Sequence, residues 1–260
     1  MTLAAKITEN PLLPWRLRNG FERWLETRCR TQMPAAYRWL HFGHAADRLE
    51  PVTRGPRHHF FGYYEKCPWN RSQRLMLAHE ADFNDRPPGD GDRVGIGVIH
   101  LDDGRRFEPL AESSAWNWQQ GAMLQWHPAD PERRFLYNDR RDGRFVAVES
   151  SIDGAELHVH DRPIAAIAPD GKRAYSLNFA RLHQHRPGYG YAGVPDPWAQ
   201  DRAPEGDGLH AIDLATGRSS LIASVGDLAR KAPTASMSGG WHYFNHVQPS
   251  PGGRRLAFFH

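Results

Sequence analysis

The sequence predicts an all-β fold, a β-propeller of four-stranded blades, and three observations carry that prediction. First, one phrase recurs, a polar turn and an arginine followed by an alternating apolar strand, at Asn70–His79, Pro131–Asn138, Pro169–Asn178 and Pro251–His260. Anchored on Arg74, Arg134, Arg173 and Arg255, the intervals are about 60, 39 and 82 residues. A period near 40 fits them, with an insertion in the first interval and two periods in the last, and that is the spacing of propeller blades. Second, a further alternating run closes on a turn dipeptide after three of the phrases: Val94–Leu101 before Asp103-Gly104, Arg144–Glu149 before Asp153-Gly154, and Gly208–Leu214 before Thr216-Gly217. Glycine takes positive φ in such turns without steric cost. Third, 24 Gly and 20 Pro fit a chain with many turns.

Taken in order, residues 1–56 form an N-terminal helical segment. Trp15, Leu17, Phe21, Trp24 and Leu25 share one helical face, with Arg16, Arg18, Arg23, Arg28 and Arg30 largely elsewhere. Asn10 and Pro14 suit its start. Such a basic amphipathic helix packs on a propeller rim or, as the alternative, lies on a membrane surface. Residues 57–260 then form a partial propeller: blade one at about 57–113, blade two at 114–160, blade three at 161–224, and the start of a fourth. In each, the repeated phrase supplies the turn between strands A and B and then strand B. Period-2 alternation gives one strand face to each neighbouring blade. About three and a half blades do not close a ring of the usual 4 to 8, so a truncated sequence is expected.

Composition narrows the function. The 33 basic and 30 acidic residues leave a net charge of +3, which gives no support to nucleic-acid binding. Two cysteines, Cys29 and Cys67, make neither a disulfide framework nor a metal-type spacing and suit a reducing compartment. No long apolar run predicts a transmembrane segment, and Met1–Leu13 lacks a secretory signal, so the cytoplasm is the expected location. Phosphate-cradling, dinucleotide-binding and Gly-x-Ser-x-Gly patterns are missing, which argues against nucleotide hydrolysis and dinucleotide redox chemistry.

In a four-stranded blade the loop entering strand A and the loop leaving strand B open on one face. This sequence places most of its versatile side chains there: His58, His59, Tyr63, Trp116, Asn117, Gln119, Gln120, His242, Asn245, His246 and Gln248 on entry, and His79, Asn138, Asn178, Arg181 and His260 on exit. The opposite face carries ordinary turns. His246 and Gln248, two apart in a strand, share a face and with His260 can either bind a divalent metal or hydrogen-bond between blades. Trp116 either stacks a sugar ring or wedges blades apart. Arg181 offers a guanidinium fork to a carboxylate or pairs locally. The insertion Arg186–Trp198, with Tyr189 in it, is expected to overhang this face as a lid.

The stretch Asn245–His260, with His58–Tyr64 and Asn117–Gly121, resembles the propeller polysaccharide lyases, notably the oligogalacturonate lyases, with features similar to ulvan lyases. The resemblance implies β-elimination on uronic-acid-containing oligosaccharides and a divalent metal, manganese, on His242, His246, Gln248 and His260. It also implies His59 or His246 as base or metal ligand, Arg181 for the substrate carboxylate and Tyr63 or Tyr189 as proton donor. Trp116, Asn117, Gln119, Gln120 and Asn178 would contact the sugar. A non-catalytic carbohydrate- or protein-binding propeller, or an inactive fragment of a longer lyase, are the alternatives.

Overall fold

The computed structural model describes residues 50–231 and 233–260. The expected N-terminal helix lies outside them. Every element described belongs to one unit, Thr53–His260.

Three four-stranded antiparallel sheets follow one another along the chain, each in sequential order from its first strand to its last. The first holds β1 (His58–Phe60), β2 (Leu75–Ala81), β3 (Val94–His100) and β4 (Arg106–Ser113). The second holds β5 (Gln125–Trp126), β6 (Arg134–Arg141), β7 (Arg144–Ser151) and β8 (Glu156–His160). The third holds β9 (Ala166–Ile167), β10 (Arg173–Ser176), β11 (Gly208–Asp213) and β12 (Ser219–Ser224). A two-stranded sheet, β13 (Asn245–Pro249) and β14 (Leu256–Phe259), comes last. The repeated phrase therefore ends in β2, β6, β10 and β14. Two α-helices are described, α1 (Phe179–His185) in the β10–β11 insertion and α2 (Val225–Lys231) after β12, with a 3-10 turn at Ala235–Met237. Neither is long and apolar enough to cross a membrane.

The sheets pack face to face in chain order. On β6, Phe135 and Tyr137 join Leu77, Ile96 and Val98 of the first sheet, together with Val146 and Val148 of β7. Leu136 and Ala147, the alternate residues, instead join Ile167, Ala174 and Ile212 of the third. The two-residue period thus assigns each strand face to a different neighbour. Val247 of β13 packs with Tyr175 and Leu209 of the third sheet. A cavity of about 590 Å³ lies where first strands meet, lined by β5, β9 and β13 residues and by the segment between β1 and β2. Successive antiparallel sheets sharing an inner edge make the fold propeller-like.

Polar ties reinforce the stacking at the ends of the repeated phrases. His79 is fully buried: its Nε2 accepts the Ala122 N–H at 3.0 Å, and its Nδ1–H donates to the Phe60 carbonyl at 3.3 Å. Both ring nitrogens are used by the neutral form, and burial pushes its pKa down to about 4. Asn138 grips the chain entering the third sheet with both ends of its amide, donating to the Ile164 carbonyl at 2.8 Å and accepting its N–H at 2.7 Å. Buried amides and imidazoles need such partners, because an unpaired one costs about 1–3 kcal/mol.

Candidate functional site

Tyr63, His246 and Tyr189 converge from three distant parts of the chain. The Tyr63 hydroxyl is in hydrogen-bond contact with His246 Nδ1, and their ring centres lie 5.4 Å apart. Tyr189 approaches His246 edge-on at 5.7 Å, and Phe259 of β14 closes a further side at 5.0 Å. Burial lowers the pKa of His246, Arg186 adds to that, and Glu65 opposes it. Burial raises the pKa of Tyr63, and the negative charge of Glu65 pushes the same way. At neutral pH the pair is therefore a neutral imidazole beside a protonated phenol. Arg186 lies over the Tyr189 ring at 4.3 Å. It is exposed, so its donors are open to solvent.

The backbone at His246 explains its aim. Its φ of +54° is left-handed, and the β13–β14 register shifts between Asn245 and Gln248. A bulge with a non-glycine residue at positive φ costs conformational energy and re-aims a side chain. The expected alternation, which put His246 and Gln248 on one face, fails for this reason. His246 turns to the tyrosines, while Gln248 lines the inner cavity.

The remaining expected residues take structural roles or stand apart from this cluster. Arg181 is 1 % exposed, and its five N–H donors meet the Asp196 carboxylate and the carbonyls of Trp198, Asp201, Arg202 and His242 at 2.7–3.1 Å. Nothing is left to clamp a substrate, so the cation beside the site is Arg186. Asn178 caps α1 by accepting the Arg181 N–H and donates to Asp196 and Asp207. His59 is held by Thr53 Oγ1 at 2.8 Å and by Glu80 at 2.9 Å, apart from Tyr63 and His246 in its contacts. Trp116 is buried among Phe60, Phe83 and Trp118 and donates to the Asp92 carbonyl, which makes it a core residue rather than a sugar platform. Asn117 donates to the Gly190 carbonyl and accepts the Gln120 N–H, tying the insertion down. Gln119 is exposed, and Gln120 is buried with its Oε1 unpartnered.

The metal ligands implied by the resemblance are not gathered as arranged here. His242 Nδ1 and His260 Nε2 face one another at 3.0 Å, while His246 and Gln248 point to the tyrosines and the inner cavity. Among the described residues no group of three or more His, Cys, Asp or Glu converges as a metal cage would.

Sequence reasoning does not single out Arg186, Glu65 and Lys66. The run Tyr63–Lys66, polar and inside what should be strand A, was the available signal: it breaks the alternation between β1 and the bridge at Trp69.

No family model matches the chain, and no curated protein matches it in sequence. Among solved structures, a putative TolB from Agrobacterium tumefaciens is 13 % identical, with a TM-score of 0.36 over 65 % of this chain and 50 % of that one. The AtxE2 isopeptidase in its apo form is 12 % identical, with a TM-score of 0.36 over 67 % of this chain and 31 % of that one. The chain thus spans half or less of the length of either. Likeness at this level carries no argument, and the propeller-like description stands on sheet order and packing.

Proposed function

We propose that the successive sheets are blades of a β-propeller and that Tyr63, His246, Tyr189 and Arg186 form an acid–base site for β-elimination on uronic-acid-containing oligosaccharides. The contact of the Tyr63 hydroxyl with His246 Nδ1 carries this reading. With the imidazole proton on Nδ1 and donated to the phenol oxygen, Nε2 is free as a base and the phenol O–H is free as an acid. Nε2 takes the C5 proton, the C5–H electron pair becomes the C4–C5 π bond, and the C4–O pair leaves with the departing sugar. Tyr63 protonates that oxygen and recovers its proton from Nδ1. One proton leaves C5 and one reaches the leaving group, so neither side chain retains charge and the imidazole ends as its other tautomer. Arg186, exposed beside Tyr189, suits the C6 carboxylate whose charge otherwise opposes carbanion formation.

The test is the ultraviolet absorbance of the unsaturated product when the protein is incubated with oligogalacturonate. A steady rise is expected, with none on the neutral oligogalactose. Saturable binding of the acidic oligosaccharide without any rise would establish a binding propeller instead.

A further inference from the structure

The inner cavity holds a cation that the acid–base site does not use. Lys66 lines it half-buried, and no described residue hydrogen-bonds or ion-pairs with its ammonium. Of the charged residues on the wall, Lys66 and Arg71 are opposed by Glu65 alone. The remaining wall is largely apolar, with Trp69, Trp126, Ile167 and Val247 among its residues, and Trp69 is 45 % exposed. A volume of about 590 Å³ is within the range of small-molecule sites, which pair apolar walls with a few polar anchors.

We propose that this cavity binds a small apolar carboxylate, an aryl or alkyl monocarboxylic acid, with its carboxylate on Lys66 and its apolar body against the tryptophan-lined wall. A lysine withdrawn from water without a partner is costly, and a bound carboxylate offsets that cost. Burial pushes the pKa of Lys66 down to about 8, with the charge of Glu65 opposing. Glu65 repels a second anionic group, which restricts the ligand to one carboxylate. The proposal is independent of the elimination reading, since it uses neither Tyr63 nor His246.

Phenylacetate is the probe, with phenylacetamide as its uncharged counterpart and acetate as the anion without the ring, followed by tryptophan fluorescence on the full chain. Phenylacetate should bind saturably and at least tenfold more tightly than either control. Lys66→Met should remove that preference, bringing phenylacetate to the level of the amide, and His246→Ala should leave it unchanged. Should Lys66→Met fail to fold by circular dichroism, Lys66→Gln serves with the same expectation. Equal binding of acid and amide, no saturable binding, or a preference that survives loss of the lysine would each overturn the proposal.

Discussion

His160 sits 1 % exposed with neither ring nitrogen hydrogen-bonded, although Glu149 lies 4.0 Å from Nε2. Burial pushes its pKa down to about 4, against an ordinary 6.5. An unpaired buried polar ring is worse than an apolar side chain of similar size. His160→Leu should therefore raise stability at pH 7 by about 1–2 kcal/mol, read as a higher Tm in thermal melts. The pair at the site makes its own prediction. Burial holds the pKa of His246 below its ordinary 6.5 and that of Tyr63 above its ordinary 10.0. Elimination rates should thus be level from about pH 6.5 to 10. An acid limb beginning above pH 7 would show that some other group is the base.

At the scale of elements, the loop Asn117–Gly121 is held against the first sheet by a glycine. A Cβ on Gly121 would lie 2.3 Å from His79 Cε1, and its φ of +59° is left-handed. Gly121→Ala should cost at least about 2 kcal/mol on the scale of backbone and overpacking penalties, seen as a lower denaturant midpoint. Arg181→Met should cost about 3–5 kcal/mol, because it abandons the buried Asp196 carboxylate and four carbonyls. Strand B, the alternating run that follows it and the Asp-Gly turns were legible because their signals are local: period-2 alternation and turn dipeptides sit within about ten residues. The role of Arg181 was not, since its acceptors lie 15 to 61 residues away and only the packed insertion brings them in. His246 failed for a subtler reason. Alternation assigns faces correctly only while the register holds, and a bulge has no clear mark in Asn-His-Val-Gln.

For the whole molecule, the repeat read from four arginines corresponds to sheets that share an inner edge, and Tyr63, Tyr189 and His246 come together from three distant parts of the chain. Much of the remaining polar set, His79, Asn138 and Asn178 among them, stitches sheets and loops together, a use that spacing does not distinguish from catalysis. Burial of imidazoles makes the fold acid-sensitive. His79, His160 and His210 are all pushed by burial to about 4. Below about pH 6.5 the unfolded chain binds protons that the folded chain refuses, so stability is unaffected above that pH and falls as the pH drops toward 4. Each imidazole contributes up to about 3 kcal/mol to that fall, and urea midpoints at about pH 7 and pH 4.5 measure it.

Removal of the C5 proton by His246 is the central claim. It is tested most directly by the rate of unsaturated-product formation from oligogalacturonate carrying deuterium at C5, compared with the unlabelled sugar, for the parent protein and for His246→Ala. The parent should be slowed several-fold by deuterium, and the variant should lose at least about a hundredfold in rate on the usual scale of general-base catalysis. Turnover by His246→Ala at the parent rate, with the isotope effect intact, would contradict the account.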